Sequence, residues 1–322
     1  MLNPRVDGRT ARDRRPKGVI GVGWACFESA ALGRSEHAPT ASDYPDSVMR
    51  RITLRAGGGL GWSLSALETP REQTAPWKIV VITGAPSWAE YWAPVLAALP
   101  ADRHMVVVDR PGFALSEPPT CVPDIRIQAT ALSPLLQAAP GQRVLLVGQS
   151  YGAAIATLMA AEHPRRVHSL VLLSTFLGEF GPTARWLVDM GERFTGLIPR
   201  DLRHAVTEVT GHSAQLPHMR RALTRLKAPV HVIHGDKDDF APLTAVEQLV
   251  RETPRPRMRL HRAPGANHFL NDGPPELILR LLEDCLPPPR PRFVLPRLSW
   301  PWRPARRGAG DIGPAANVAP GE

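Results

Sequence analysis

The sequence predicts an α/β sandwich: a mostly parallel, twisted sheet with helices on both faces and a small helical lid. Three observations carry this expectation. Five segments, KIVVIT (78–83), MVVVD (105–109), RVLLV (143–147), SLVLL (169–173) and VHVIH (230–234), are apolar at nearly every position, which suits strands buried on both faces. Helical patterns separate them, and such alternation folds as a parallel sheet with right-handed crossovers. A single long stretch, 175–226, interrupts the rhythm without a convincing strand.

The elements follow in order. Arg51–Arg55 and Gly61–Leu67 read as short strands around a Gly57-Gly58-Gly59 turn. Lys78–Thr83 opens the buried series. Ser87–Leu99 reads as a helix, with Ser87 and Glu90 at capping-box spacing. After the strand Met105–Asp109, Ile125–Ala139 reads as a helix kinked at Pro134. Arg143–Val147 leads into Ala153–Glu162, which must end before Pro164. Ser169–Leu173 precedes the long stretch, read as three short helices punctuated by Gly178, Gly181, Gly191, Gly196 and Gly211. An insertion just past a strand end is a candidate lid. Val230–His234, a last strand at Met258–His261 and a closing helix at Pro275–Leu286 complete the domain.

Composition narrows the function. The 322 residues are 43% hydrophobic and 21% charged, ordinary globular usage that excludes wholesale disorder. Cys26, Cys121 and Cys285 are odd in number and far apart, so a disulfide scaffold is excluded and no CxxC pair offers a zinc site. The net charge is +9, but residues 1–17 and 287–322 each hold six basic and two acidic residues, so the middle is nearly neutral. A duplex-binding domain places its basic face on folded structure, so no nucleic-acid partner is expected. Residues 1–44 read as a flexible basic extension. Arg14-Arg15 before the apolar stretch Val19–Phe27 faintly resembles a signal segment, but the stretch is short and broken by Gly21 and Gly23, so a cytoplasmic location is expected, with export or peripheral membrane association as the alternative. Residues 287–322 form a Pro/Arg-rich tail. Its Trp300 and Trp302 beside arginines suit weak contact with an anionic membrane surface or a protein.

The strongest chemical signal is Gly148-Gln149-Ser150-Tyr151-Gly152, set directly between the strand RVLLV and the helix AAIATLMAAEH. A strand turning that sharply into a helix needs no side chain on either flank, which leaves Ser150 at a strained apex with its hydroxyl exposed. A serine hydroxyl is a poor nucleophile near neutral pH and needs a base. His268 alone among the histidines sits in the loop between the last strand and the closing helix. Asp236, Asp238 and Asp239 compete to orient it. His231 and His234 lie on a strand and read as packing residues, and His163 as a helix end.

With these motifs the segment 45–286 resembles the α/β-hydrolase family, in its serine-nucleophile esterase and haloperoxidase-like branch. Gly148–Gly152 matches the family's nucleophile elbow, Gly235-Asp236-Lys237-Asp238 its acid segment, and Gly265-Ala266-Asn267-His268 its histidine loop. The order Ser, Asp, His is that of the fold. Asp109–Ser116 matches a further family segment, except that Ala114 stands where a glycine is usual. Thr83-Gly84-Ala85-Pro86 departs from the usual His-Gly of the oxyanion segment.

The resemblance implies Ser150 as nucleophile, His268 as general acid/base and Asp238 orienting it. It also implies an oxyanion hole formed by the backbone N–H groups of Ala85 and Tyr151. Trp88 and Phe113 are candidate pocket residues, with core packing the competing role for each. The implied activity is hydrolysis of a carboxylic ester or related acyl bond of a small molecule, without metal, nucleotide or flavin. Serine at the elbow argues against the haloalkane dehalogenase and epoxide hydrolase relatives. Perhydrolases, C–C bond hydrolases and acyltransferases share the same apparatus, and a non-catalytic binding protein on the same fold is the alternative from another class.

Overall fold

The structure is a computed structural model that describes residues 40–71, 74–253, 258–271 and 273–286. The tail 287–322, and with it the expectation of membrane or partner contact, lies outside the described residues. So does most of the N-terminal extension. Residues 40–44, assigned to that extension, form a 3₁₀ turn at Ala41–Asp43, with Ala41 and Tyr44 packed on the core. No helix among the described residues is long and apolar enough to cross a membrane.

Eight strands form one sheet in the order β1-β2-β4-β3-β5-β6-β7-β8. β1 (Arg50–Arg55) and β2 (Ser63–Glu68) are antiparallel to each other, and β2 to β4. The others are parallel: β3 (Trp77–Ile82), β4 (Arg103–Val108), β5 (Arg143–Gln149), β6 (Val167–Leu173), β7 (Val230–Gly235) and β8 (Met258–Ala263). The helices are α1 (Ala93–Ala97), α2 (Ile125–Leu132), α3 (Gly152–Glu162), α4 (Pro182–Arg193), α5 (Arg200–Arg225), α6 (Leu243–Glu252) and α7 (Pro275–Glu283).

The apolar runs divide between two cores by the alternation of strand side chains. Val80, Ile82, Val106, Val108 and Leu146 face α2, α3, α5 and α6. Ile79, Val81, Met105, Val107, Leu145 and Val147 face α1 and α7. Each such side chain removed from water contributes about 1.5–3 kcal/mol. β3 lies between β4 and β5, so the chain steps to one side of β3 and then to the other. The loops leaving the carboxyl ends of β3 and β5 part there and open a crevice, the usual ligand position in open α/β sheets.

Several local expectations are corrected. Ser87 and Glu90 do not form a capping box. Ser87 bonds the Thr83 hydroxyl and accepts the Arg110 N–H at 2.8 Å, while Glu90 pairs with Arg51. The expected helix from Ser87 is instead a 3₁₀ turn, Ala89–Trp92, followed by the single turn of α1. At Pro134 the chain passes from α2 into a 3₁₀ turn, Ser133–Leu136. The stretch 175–226 holds two helices rather than three. α5 runs 26 residues straight through Gly211 and Pro217. An interior proline costs about 3 kcal/mol, and burial of Met219, Ala222 and Leu223 against the α3 side offsets it. α6 went unforeseen, although Ala245, Val246 and Leu249 give it a helical buried stripe.

Candidate active site

The elbow owes its shape to two close approaches. A Cβ on Gly152 would lie 2.3 Å from the Ile82 carbonyl oxygen, and one on Gly148 would lie 2.7 Å from Ala153 Cα. Side chains are excluded on both flanks, and Ser150 is held at φ 51°, in the left-handed region. Its N–H donates to the Leu173 carbonyl at 2.8 Å, which ties the apex to β6.

The three side chains converge from three loops. His268 Nε2 is 3.0 Å from Ser150 Oγ, and His268 Nδ1 is 2.8 Å from Asp238 Oδ2. The other Asp238 oxygen accepts the N–H groups of Phe240 at 2.9 Å and Ala241 at 2.8 Å. His234 Nε2 lies 3.2 Å from Oδ2 and donates to the Ala241 carbonyl. Burial alone would raise the Asp238 carboxyl. The facing His268, the Ala241 N–H and His234 outweigh it and hold the group below the usual carboxylate range. Burial pushes His234 down, against the pull of Asp238.

The other two aspartates are occupied elsewhere. Asp236 is exposed and accepts the Gly265 N–H at 2.7 Å, closing the turn before His268. Asp239 accepts the Thr183 hydroxyl at the start of α4. Asp109 does not reach the site. Its buried carboxylate takes the Ala89 N–H and Arg51, and its carbonyl takes the Ser116 hydroxyl at 2.6 Å. Ala114 holds φ 43°, so alanine bears there the left-handed strain that a glycine would avoid.

The loop after β3 abuts the serine, since a Cβ on Gly84 would sit 3.0 Å from Ser150 Cβ. The next N–H is that of Ala85, and Tyr151 supplies the first N–H after the apex. Neither amide has an acceptor among the described residues. Thr83, where the family usually has histidine, bonds Ser87 and the Val108 carbonyl and leaves both amides in place.

A cavity of about 240 Å³ opens over Ser150 and His268, roofed by the 175–226 stretch. Its walls include Trp88, Phe176, Phe180, Leu187, Phe194, Val206 and Phe240, and its floor carries Gln149 and Asn271. No Lys, Arg, Asp or Glu lines it among the described residues. Phe240 stacks on the His268 ring at 5.2 Å. Trp88 lines the cavity, its indole N–H on Asp201 at 2.6 Å. Phe113 does not line it. It is fully buried, edge-on to His204 and beneath the Arg110 guanidinium, because an aromatic ring on the turn after β4 points into the core.

Sequence reasoning passed over Phe240, Gln149, Asn271 and the pair Arg110–Glu208. Glu208 did leave a signal: a charged residue on the same helical stripe as the buried Ala205 and His212.

An eight-stranded, mostly parallel sheet with serine on a strand–helix elbow, histidine after the last strand and a helical roof defines a class of hydrolase. The family model for the alpha/beta hydrolase fold matches residues 78–221. The chain is 25% identical over 241 residues to a 2-hydroxy-6-oxononadienedioate/2-hydroxy-6-oxononatrienedioate hydrolase of Pseudomonas putida, covering 63% of this chain and 84% of that one. Among solved structures it resembles a thermophilic esterase from Thermogutta terrifontis, with TM-score 0.57 and 17% identity over 73% of this chain and 97% of that one. It also resembles a monoglyceride lipase from Saccharomyces cerevisiae, with TM-score 0.58 and 15% identity over 77% and 97%. The chain has the α/β-hydrolase fold, its residues 78–221 match that family's model, and it is a hydrolase.

Proposed function

We propose that the protein is a serine hydrolase for uncharged carboxylic esters with an apolar acyl or alcohol group. One observation carries the reading: a hydrogen-bonded line from Ser150 through His268 to Asp238 opens into an apolar cavity with no charged lining side chain among the described residues.

His268 Nε2 accepts the Ser150 proton as Oγ attacks the carbonyl, while Asp238 accepts from His268 Nδ1–H, holds the tautomer that leaves Nε2 free, and stabilises the imidazolium. The N–H groups of Ala85 and Tyr151 meet the developing oxyanion, each worth roughly 3 kcal/mol. The alcohol leaves with the proton from His268. Water activated by the same imidazole then releases the acid and restores Ser150.

The Pseudomonas putida relative is named for a dicarboxylate substrate, and C–C bond cleavage of such a dianion is the second reading. The cavity argues against it, because a carboxylate buried without a cation costs several kcal/mol. Perhydrolysis and acyl transfer share the same acyl-enzyme and differ only in the acceptor that resolves it.

p-Nitrophenyl esters of increasing chain length, compared with a vinylogous 2-hydroxy-6-oxo dicarboxylate, test the proposal. Ester turnover that rises from acetate towards medium chains, with little dicarboxylate cleavage, is expected. Dicarboxylate kcat/KM above that of the best ester would refute it.

A further inference from the structure

Arg110 is fully buried, and each of its five guanidinium N–H donors is used. Nε donates to the Thr83 carbonyl at 2.9 Å and Nη2 to the Gly84 carbonyl at 2.8 Å. The fork closes on both carboxylate oxygens of Glu208 at 2.7 Å each, and Nη1 also reaches Gln128 Oε1 at 2.7 Å. Gln128 donates in turn to Glu208 at 2.7 Å. The guanidinium carbon lies 4.8 Å from the Phe113 ring and 4.9 Å from the Tyr151 ring.

Two features make this more than core polarity. The Gly84 carbonyl and the Ala85 N–H belong to one trans peptide, so fixing one fixes the other on the opposite side. That peptide lies against Ser150. Glu208, moreover, comes from α5, the long helix of the roof, and is itself buried. Arginine beneath the chemistry is thereby tied to the element above it.

We infer that Arg110 and Glu208 are a positioning pair, which aims the Ala85 N–H at the substrate oxygen and makes that aim depend on α5 being seated. Neither side chain lines the cavity, so both act through the peptide they hold. The inference rests on reading the Ala85 N–H as an oxyanion donor. Lifting α5 would strand a buried guanidinium, so substrate entry is left to α4 and the connection 194–199.

The test is Glu208→Gln, which keeps the shape of the side chain and loses its charge. Two readouts are compared with wild type: ester kinetics, and affinity for an apolar trifluoromethyl ketone, whose hemiketal oxygen occupies the oxyanion position. The expected result is a folded protein with KM within twofold and kcat down about tenfold or more, and ketone affinity reduced in parallel. Should Glu208→Gln not fold, Arg110→Met with Glu208→Leu replaces the pair by apolar side chains, an exchange that buried ion pairs often tolerate. That double variant is expected to fold and show the same two losses. A folded variant with unchanged kcat and ketone affinity overturns the inference. So does failure of both variants to fold, which would make the pair a folding requirement only. If the wild type itself shows no Ser150-dependent ester turnover, it is the proposed function that fails.

Discussion

The two helices of the roof differ in what holds them. α5 buries Leu202, Ala205, Glu208, His212, Met219, Ala222 and Leu223, and through Glu208 is ionically joined to the floor. α4 buries only Ala184 and Gly191, and Trp186 on it is 57% exposed. In the connection between them, Phe194 is 41% and Leu197 79% exposed. Gly191 lets α4 approach α5 closely, since a Cβ there would meet Val206 at 2.6 Å. The segment that opens most cheaply is the one with fewest buried contacts. The contrast therefore teaches a division of labour to be tested: α5 is the anchored side of the roof, and α4 with 194–199 is the side with least to lose on moving.

The largest effects are expected at the floor. Ser150→Ala or His268→Ala should each remove nearly all ester turnover, a factor on the order of 10⁶ in kcat, with folding checked by circular dichroism. Asp238→Asn should cost about 10⁴ by misdirecting the imidazole tautomer. Asp236→Asn and Asp239→Asn, whose carboxylates close a turn and meet Thr183, should change turnover only a few-fold. Equal losses at all three aspartates would break the claim that one of them serves His268.

The chain makes these floor residues legible for a physical reason. Gly148 and Gly152 are demanded by carbonyls and Cα atoms within van der Waals reach, so the elbow announces itself in residue types. The strands are legible because both faces are buried. The roof is not, because Gly211 and Pro217 are helix stops by local chemistry, and only tertiary burial of α5 overrides them. Arg110 and Glu208 are 98 positions apart, and no local pattern reports such a pairing. Phe113 shows the same limit, since an aromatic ring after a strand reads alike as core or as pocket.

The seat of α5 can be sharpened through His212. Its ring is buried between Phe176 and Tyr151, and burial pushes its pKa down to about 4 from 6.5. The unfolded chain therefore binds the proton more readily between these values. Stability should be complete above pH 6.5 and fall as pH drops towards 4, by up to about 3 kcal/mol from this group. His212→Phe should flatten that part of the decline in a series of thermal melts, while an unchanged slope would show α5 to be less firmly packed than described.

Smaller effects separate the regions further. Ala114→Gly relieves the left-handed strain beside the floor and should raise stability by about 1 kcal/mol, read as a higher denaturant midpoint. Trp186→Ser on the exposed face of α4 should change stability by no more than about 0.5 kcal/mol. It should leave kcat on short esters intact, and altered KM for long-chain esters would place α4 at the substrate's path.

The central claim is that Ser150 is made nucleophilic by His268. Incubation with a fluorophosphonate, followed by peptide mass spectrometry, addresses it most directly. The account predicts one covalent adduct, on Ser150, lost in Ser150→Ala and slowed by orders of magnitude in His268→Ala. No adduct on folded protein, or an adduct formed at the wild-type rate without His268, would contradict it.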